Sequence, residues 1–261
     1  MANLYKIDDL TLKQVASICD HTFLMDDTAY HEKGKELKIS ASELRSKAFY
    51  DFLYFAVNTD LTPHALCVRP NDVRHVRRYF EEGEKNGIKI ASVIGYPNGD
   101  WTGTRDKLIE IRNAVQGGAV EIDPVIPYRA LKEGRRDFVT DEMRYITGRA
   151  HDFGLIVKYI LETSELTPDL IKEACEIANS CNADFVKTST GMGYSIAREE
   201  DLIIMKQNFP RGIKISGGVV EANYRSLLRA ASGRTDGMIE LDPMKIRIGE
   251  SKLIAEKKSG Y

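Results

Sequence analysis

The chain has 261 residues, 43% of them hydrophobic and 29% charged, with a formal net charge of −2. That length can bury a sizeable core, and so small a net charge gives no reason to expect nucleic acid or an anionic membrane surface as partner. No apolar run is long enough to span a bilayer, and Met1–Lys6 lacks the apolar core of a secretory leader, so a cytoplasmic protein is expected.

In chain order, Leu12, Val15, Ala16 and Cys19 recur at helical spacing and predict an extra N-terminal helix. Cys19–Leu24 then reads as a short strand that carries polar residues. From about 26 to 62 the chain is polar and rather long for a connection, with a helix near 42–55 inside this insertion. A regular rhythm follows. Strands are predicted over 65–68, 88–94, 119–123, 155–161, 185–187, 213–215 and 245–248. Helices fall between them over 71–82, 104–115, 140–150, 199–207 and 222–231, and a last one starts near Ser251. Thr167 and Pro168 open a further helix, Thr as its cap and Pro at its first position. Eight strands alternating with amphipathic helices predict a parallel sheet, and this length fits a single (β/α)8 TIM barrel over 1–261. An open doubly wound sheet is the alternative.

The four cysteines, Cys19, Cys67, Cys175 and Cys181, form no C-x-x-C pair and read as reduced core thiols. The five histidines never fall at H-x-H or H-x-x-x-H spacing, so neither a metal nor another cofactor is expected.

A barrel of this class places its site at the carboxyl ends of its strands. Near those ends stand Asp20, Thr22, Cys67, Asp123, Lys158, Lys187 and Lys214. Three lysines within apolar strands are costly unless paired. One reading is a set of structural ion pairs across the barrel interior. The other is a Schiff-base lysine. Bringing a lysine from a pKa near 10.4 to 7 takes about 4.6 kcal/mol. One cation about 6 Å away supplies roughly 2.8 kcal/mol at an effective dielectric near 20, and desolvation can supply the rest. Lys187 and Lys214 are one strand-helix repeat apart and are expected to be neighbours. Glu121 and Asp123 share a strand face. Asp123, nearer the strand end, is favoured for proton relay, and Glu121 for packing or a salt bridge. Gly217-Gly218 and Gly249-x-Ser251 fall where barrels commonly hold a phosphate on backbone amides and a helix N-terminus.

Several segments closely resemble deoxyribose-phosphate aldolase. They are Glu121-Ile-Asp-Pro-Val-Ile-Pro-Tyr-Arg-Ala-Leu131, Val157-Lys-Tyr-Ile-Leu-Glu-Thr-Ser-Glu-Leu166 and Ala183-Asp-Phe-Val-Lys-Thr-Ser-Thr-Gly191. Asp20-His-Thr-Phe-Leu24, Leu66-Cys-Val68, Val93-Ile-Gly-Tyr-Pro-Asn-Gly99, Ile213-Lys-Ile-Ser-Gly-Gly-Val219 and Arg247-Ile-Gly-Glu-Ser251 agree in order and spacing. The resemblance implies a metal-free class I aldolase that cleaves 2-deoxyribose 5-phosphate to acetaldehyde and glyceraldehyde 3-phosphate. It implies Lys187 as the Schiff-base lysine, Lys214 as the lysine that lowers its pKa, Asp123 as the proton-relay acid and Lys158 in the same network. Asp20 and Thr22 are implied near the sugar hydroxyls and the relay water, with Cys67 and Thr190 also facing substrate. Gly191, Gly217, Gly218, Gly249 and Ser251 are implied at the phosphate end. Tyr261 resembles a mobile C-terminal tyrosine that assists proton transfer, and a homodimer is implied.

Three features depart from that pattern. Val219-Val220-Glu221 follows the double glycine in place of the usual Arg-Thr pair, Glu250 and Lys252 replace small residues, and the 26–62 stretch is longer. Glu250 is expected to turn to solvent while Lys252 approaches the phosphate. Two alternatives stand beside this reading. One is a related barrel aldolase acting on another aldehyde or ketose phosphate. The other is a sugar-phosphate-binding barrel without catalysis, against which the intact Lys187, Lys214 and Asp123 argue.

Overall fold

The structure, a computed structural model, describes residues 3–83 and 87–255. Eight parallel strands close into a barrel: β2 (Cys19–Phe23), β3 (Ala65–Val68), β4 (Lys89–Ile94), β5 (Glu121–Pro124), β6 (Ile156–Ile160), β7 (Phe185–Lys187), β8 (Gly212–Ser216) and β10 (Ile246–Glu250). The expected TIM barrel is therefore present, and the open sheet is excluded. Pairing of β10 with β2 completes the ring, with Gly249 opposite Asp20 and Glu250 opposite His21.

The helices follow from local sequence. Thr167 accepts a hydrogen bond from the Leu170 amide at the start of α8 (Pro168–Ser180), and Pro168 occupies its first turn, where a missing N–H costs nothing. Gly118, at φ 101°, ends α5 (Thr104–Gly117) in the left-handed region that a side chain resists. The remaining outer helices are α4 (Val73–Glu82), α7 (Arg136–Asp152), α9 (Glu199–Asn208) and α10 (Tyr224–Ser232), with the short α6 (Tyr128–Lys132) leading into α7.

Four differences from the sequence reading matter. The N-terminal helix shrinks to α1 (Leu12–Ala16), preceded by β1 (Leu4–Lys6), which pairs antiparallel with β9 (Met238–Glu240). Cys19, which shared the helical spacing, lies in the strand expected from Cys19 onward. The 26–62 stretch holds α2 (His31–Leu37) as well as the expected longer helix, α3 (Ala41–Asn58). Phe49, Phe52, Leu53 and Ala56 of α3 pack in one buried cluster with Leu66, Val68, Val73 and Val76, so α3 is the helix that covers β3 rather than a loop excursion. Finally, residues 251–255 form a turn, not the start of a helix.

All four cysteines are free and buried. None of the described helices is long and apolar enough to cross a membrane.

Close packing inside the wall makes one small residue indispensable. A Cβ on Gly212 would lie 2.2 Å from the Phe185 ring, and Phe185 is fully buried beside Arg247. Gly212→Ala should therefore destabilise the fold by about 1–3 kcal/mol through overpacking. Urea unfolding of both proteins measures this, and an unchanged midpoint would show that the ring has room to move.

Candidate active site

The strands aim seven charged side chains into the barrel interior. Lys187 and Lys214 are directly paired positions of β7 and β8, and Arg247 is paired with Lys214 from the other side. Asp123 stands at the centre. Its Oδ2 accepts hydrogen bonds from Lys187 Nζ at 2.9 Å and Lys214 Nζ at 2.7 Å, so the two ammonium groups lie less than about 6 Å apart. Lys158 Nζ is 3.0 Å from Asp123 Oδ1 but hydrogen-bonds Glu121 Oε2, at 2.7 Å, which leaves Oδ1 without a hydrogen bond of its own. Lys214 also donates to Asp20. Arg247 closes the floor, donating to Asp20 and, at 2.7 Å, to Glu121 Oε1.

The sequence thus located the lysines and aspartates and left Glu121 to a salt bridge, which it makes. Arg247 was not singled out as a charge carrier. The signal was available: Ile246-Arg247-Ile248 sets a charge between β-branched residues, as Ile213-Lys214-Ile215 does. Both readings of the buried lysines meet here, because every one of them has a carboxylate partner.

Burial alone would raise the Asp123 pKa, but Lys158, Lys187 and Lys214 outweigh it and hold the carboxyl well below its ordinary value. Burial is likewise overcome at Asp20 by Lys214 and Arg247, and at Glu121 mainly by Lys158, so both stay ionised. Desolvation disfavours the Lys214 ammonium, yet Asp123 and Asp20 raise its pKa above that of a free lysine. Lys214 is a fixed cation. Cys67 donates its thiol to Asp123 Oδ2 at 3.7 Å. Burial, and then Asp123, push that thiol up to about 11, so it is protonated, and it packs with Leu24, Ala91 and Val93 rather than lining the cavity.

A cavity of about 410 Å³ opens beside this cluster. Thr22, Thr190 and Gly191 line one part of it, and Gly217, Gly218, Gly249, Ser251 and Lys252 another. Gly249 is where cavity and cluster touch: a Cβ there would come within 3.1 Å of Lys214 Cε. Gly217, at φ 95°, could not carry a side chain either, since its Cβ would meet Ser195 O at 2.5 Å. Phe23, Leu24, Met192, Val219 and Val220 make much of the remaining wall apolar. Thr22 Oγ1 donates to the Asp20 carbonyl, and Tyr96 Oη to the Thr190 carbonyl. Glu162, which the sequence reading passed over, is buried; it accepts from the Thr190 amide and contacts Ser195, fastening the loop after β7. Tyr261 lies outside the described residues.

One expectation is overturned. Glu250 does not face solvent; its side chain is fully buried, with Oε1 2.7 Å from His21 Nδ1. Because β10 continues through Glu250, the alternation that turns Arg247 and Gly249 inward turns Glu250 outward, under the helix layer. Lys252 is exposed at the cavity, as expected.

A family model described as DeoC/LacD family aldolase matches residues 16–239. The chain belongs to that family. As a DeoC/LacD family aldolase it is 37% identical over 213 residues to a deoxyribose-phosphate aldolase of Caldicellulosiruptor saccharolyticus, covering 80% of this chain and 87% of the relative. A deoxyribose-phosphate aldolase of Thermococcus gammatolerans is 42% identical over 158 residues, 60% of this chain and 69% of that one. The structure of a candidate deoxyribose-phosphate aldolase from Coccidioides immitis superimposes with a TM-score of 0.72 at 28% identity, over 95% of this chain and 87% of that one.

The charge cluster gives this aldolase a defined response to acid. Carboxylates with depressed pKa values stabilise the fold above their unfolded value, near 4, and that contribution is lost as pH falls through the folded values. Removing the guanidinium with Arg247→Met leaves Asp20 and Glu121 short of a buried partner, at a cost of about 3–5 kcal/mol. It should also move the acid-unfolding midpoint to higher pH. Circular dichroism across an acid titration tests both, and an unchanged midpoint would deny Arg247 its neutralising part.

Proposed function

We propose that this chain is a class I aldolase that reversibly cleaves 2-deoxy-D-ribose 5-phosphate to acetaldehyde and D-glyceraldehyde 3-phosphate through a Schiff base on Lys187. The observation that carries the proposal is the pairing of Lys187 with Lys214 across adjacent strands, both on one oxygen of Asp123. The family and the names of the relatives support the substrate.

In this reading the ammonium of Lys187 passes a proton to the Asp123 network, and the free amine adds to C1 of the open-chain sugar. Loss of water gives a protonated imine. The C3 hydroxyl then gives up its proton, the C2–C3 bond breaks, and its electron pair moves into an enamine as glyceraldehyde 3-phosphate departs. Protonation at C2 and hydrolysis release acetaldehyde and restore Lys187. Lys214, held as a cation by Asp20 and Asp123, opposes a second positive charge beside it and so favours the uncharged nucleophile. Asp123 is ionised at rest and within reach of both lysines, which suits it to receive and return protons. Lys158 balances Asp123 and Glu121. Asp20 and Thr22 meet the sugar hydroxyls and the relay water, with Thr190 in the surrounding wall.

The phosphate end would lie among Gly191, Gly217, Gly218, Gly249 and Ser251, whose amides and small size allow close approach, with Lys252 supplying the charge. Tyr261 is assigned the proton transfer at the acetaldehyde carbon, by resemblance. A homo-oligomer, as a dimer, in the cytoplasm completes the proposal, and sedimentation velocity reads the assembly directly.

Borohydride reduction in the presence of acetaldehyde should leave one ethyl group on the peptide containing Lys187 and none in Lys187→Met. An adduct on Lys158 or Lys214 would reassign the nucleophile. At the other end of the cavity, Lys252→Met should raise KM for 2-deoxyribose 5-phosphate about ten- to a hundredfold, the worth of a charge-assisted contact, with little effect on unphosphorylated 2-deoxyribose. Equal KM changes for the two sugars would remove Lys252 from phosphate recognition. Wild type that ignores the phosphate would favour a different aldehyde or ketose phosphate as substrate.

A further inference from the structure

Glu250 borders the cavity assigned above to the sugar phosphate, yet its carboxyl group is fully buried and turned away from the barrel interior. Its two oxygens have separate partners. Oε1 is 2.7 Å from His21 Nδ1, and Oε2 accepts the Ile254 amide at 3.4 Å. The first contact joins neighbouring strands at directly opposed positions of β10 and β2. The second spans the turn that begins at Ser251. His21 is in turn fixed from outside: its ring stacks on Phe52 of α3 at 4.9 Å and 23°, with Phe55 at 5.3 Å. A continuous set of contacts therefore runs from α3 through His21 and Glu250 to the turn that presents Ser251 and Lys252 to the cavity.

We propose that Glu250 is a positioning residue for the phosphate end, tethering the 251–254 turn to His21 and, through His21, to α3, so that the Ser251 and Lys252 groups are held at the cavity rim. The inference deepens the substrate reading given above and rests on it. It accounts for two departures together. Lys252 is a long side chain on the 251–255 turn, so its root needs holding, and the 26–62 stretch supplies the aromatic support for the residue that holds it. The competing account is that buried Leu253 and Ile254 anchor the turn by packing alone.

Three variants separate the two: Glu250→Ala, which removes both acceptors; Glu250→Gln, which keeps the length and one acceptor; and His21→Leu, which keeps an apolar contact with Phe52 and Phe55 but cuts the tether. The reading is the ratio of KM for 2-deoxyribose 5-phosphate to KM for 2-deoxyribose, taken with kcat and Tm. Glu250→Ala should raise the ratio about tenfold, as expected for loss of two hydrogen bonds that position a ligand contact. His21→Leu should move it the same way, and Glu250→Gln should recover most of the change. A ratio unchanged in Glu250→Ala, or KM rising equally for both sugars as Tm falls, overturns the proposal in favour of packing. If wild type cleaves neither sugar, the substrate reading has failed and hydrogen exchange decides the tether. Ser251–Ile254 amides exchanging at least tenfold faster in Glu250→Ala than in wild type uphold it, and equal rates refute it.

Discussion

Asp123 is the constraint on which the barrel's interior depends. Three lysines converge on one carboxylate, and Asp20, Glu121 and Arg247 extend the buried network, which the partly exposed Lys89 joins at Glu121. Buried ions on this scale rarely add stability, because desolvation consumes most of what attraction returns. Their arrangement is informative in another way. Counting Lys89, which reaches Glu121 Oε1 at 3.8 Å, five cations face three carboxylates, so positive charge is in excess and the partners are unevenly shared. Lys214 is held charged by two aspartates and Arg247 never deprotonates. Lys158 has its own carboxylate in Glu121. Lys187 is left with Asp123 alone, a partner it shares with two other ammonium groups.

The same accounting explains why the glycines stand where they do. A crowded floor needs open space directly above it, and Gly249 and Gly217 provide that space where any side chain would strike Lys214 or the loop after β7. The cavity above is largely apolar on one side and offers amides, the Ser216 and Ser251 hydroxyls and one lysine on the other. Charge and open space are thus separated by height along the barrel: a buried ionic floor, and a rim of glycines, hydroxyls and Lys252 around the cavity.

Much of this was legible in the sequence because charged residues in apolar strands announce themselves. Lys158, Lys187 and Lys214 each interrupt a run of β-branched or aromatic neighbours, and the strand-helix rhythm then fixes which ends they occupy. Arg247 follows the same rule but was hidden inside a segment noticed mainly for its glycine. The misreading of Glu250 has a different cause. A Gly-Glu-Ser triplet looks like a turn, and an acid in a turn belongs in water, but the strand runs two residues further than its apolar core suggests. Alternation then carries Glu250 under α3, which no local pattern reveals. β1 and β9 escaped notice because they lie outside the strand-helix rhythm that marks the barrel strands, and each is defined only by pairing with the other.

Asp20 has its ionic partners 194 and 227 residues further along the chain, at Lys214 and Arg247. Contacts of such separation form late, after the loop entropy of nearly the whole chain has been met. Asp20 is fully buried, so seating β2 in the finished barrel depends on β8 and β10 to supply Lys214 and Arg247. The buried ionic cluster is for that reason also a clasp between the two ends of the chain. The last strands carry the charges that the first one needs, so the ring and its ionic interior are completed together.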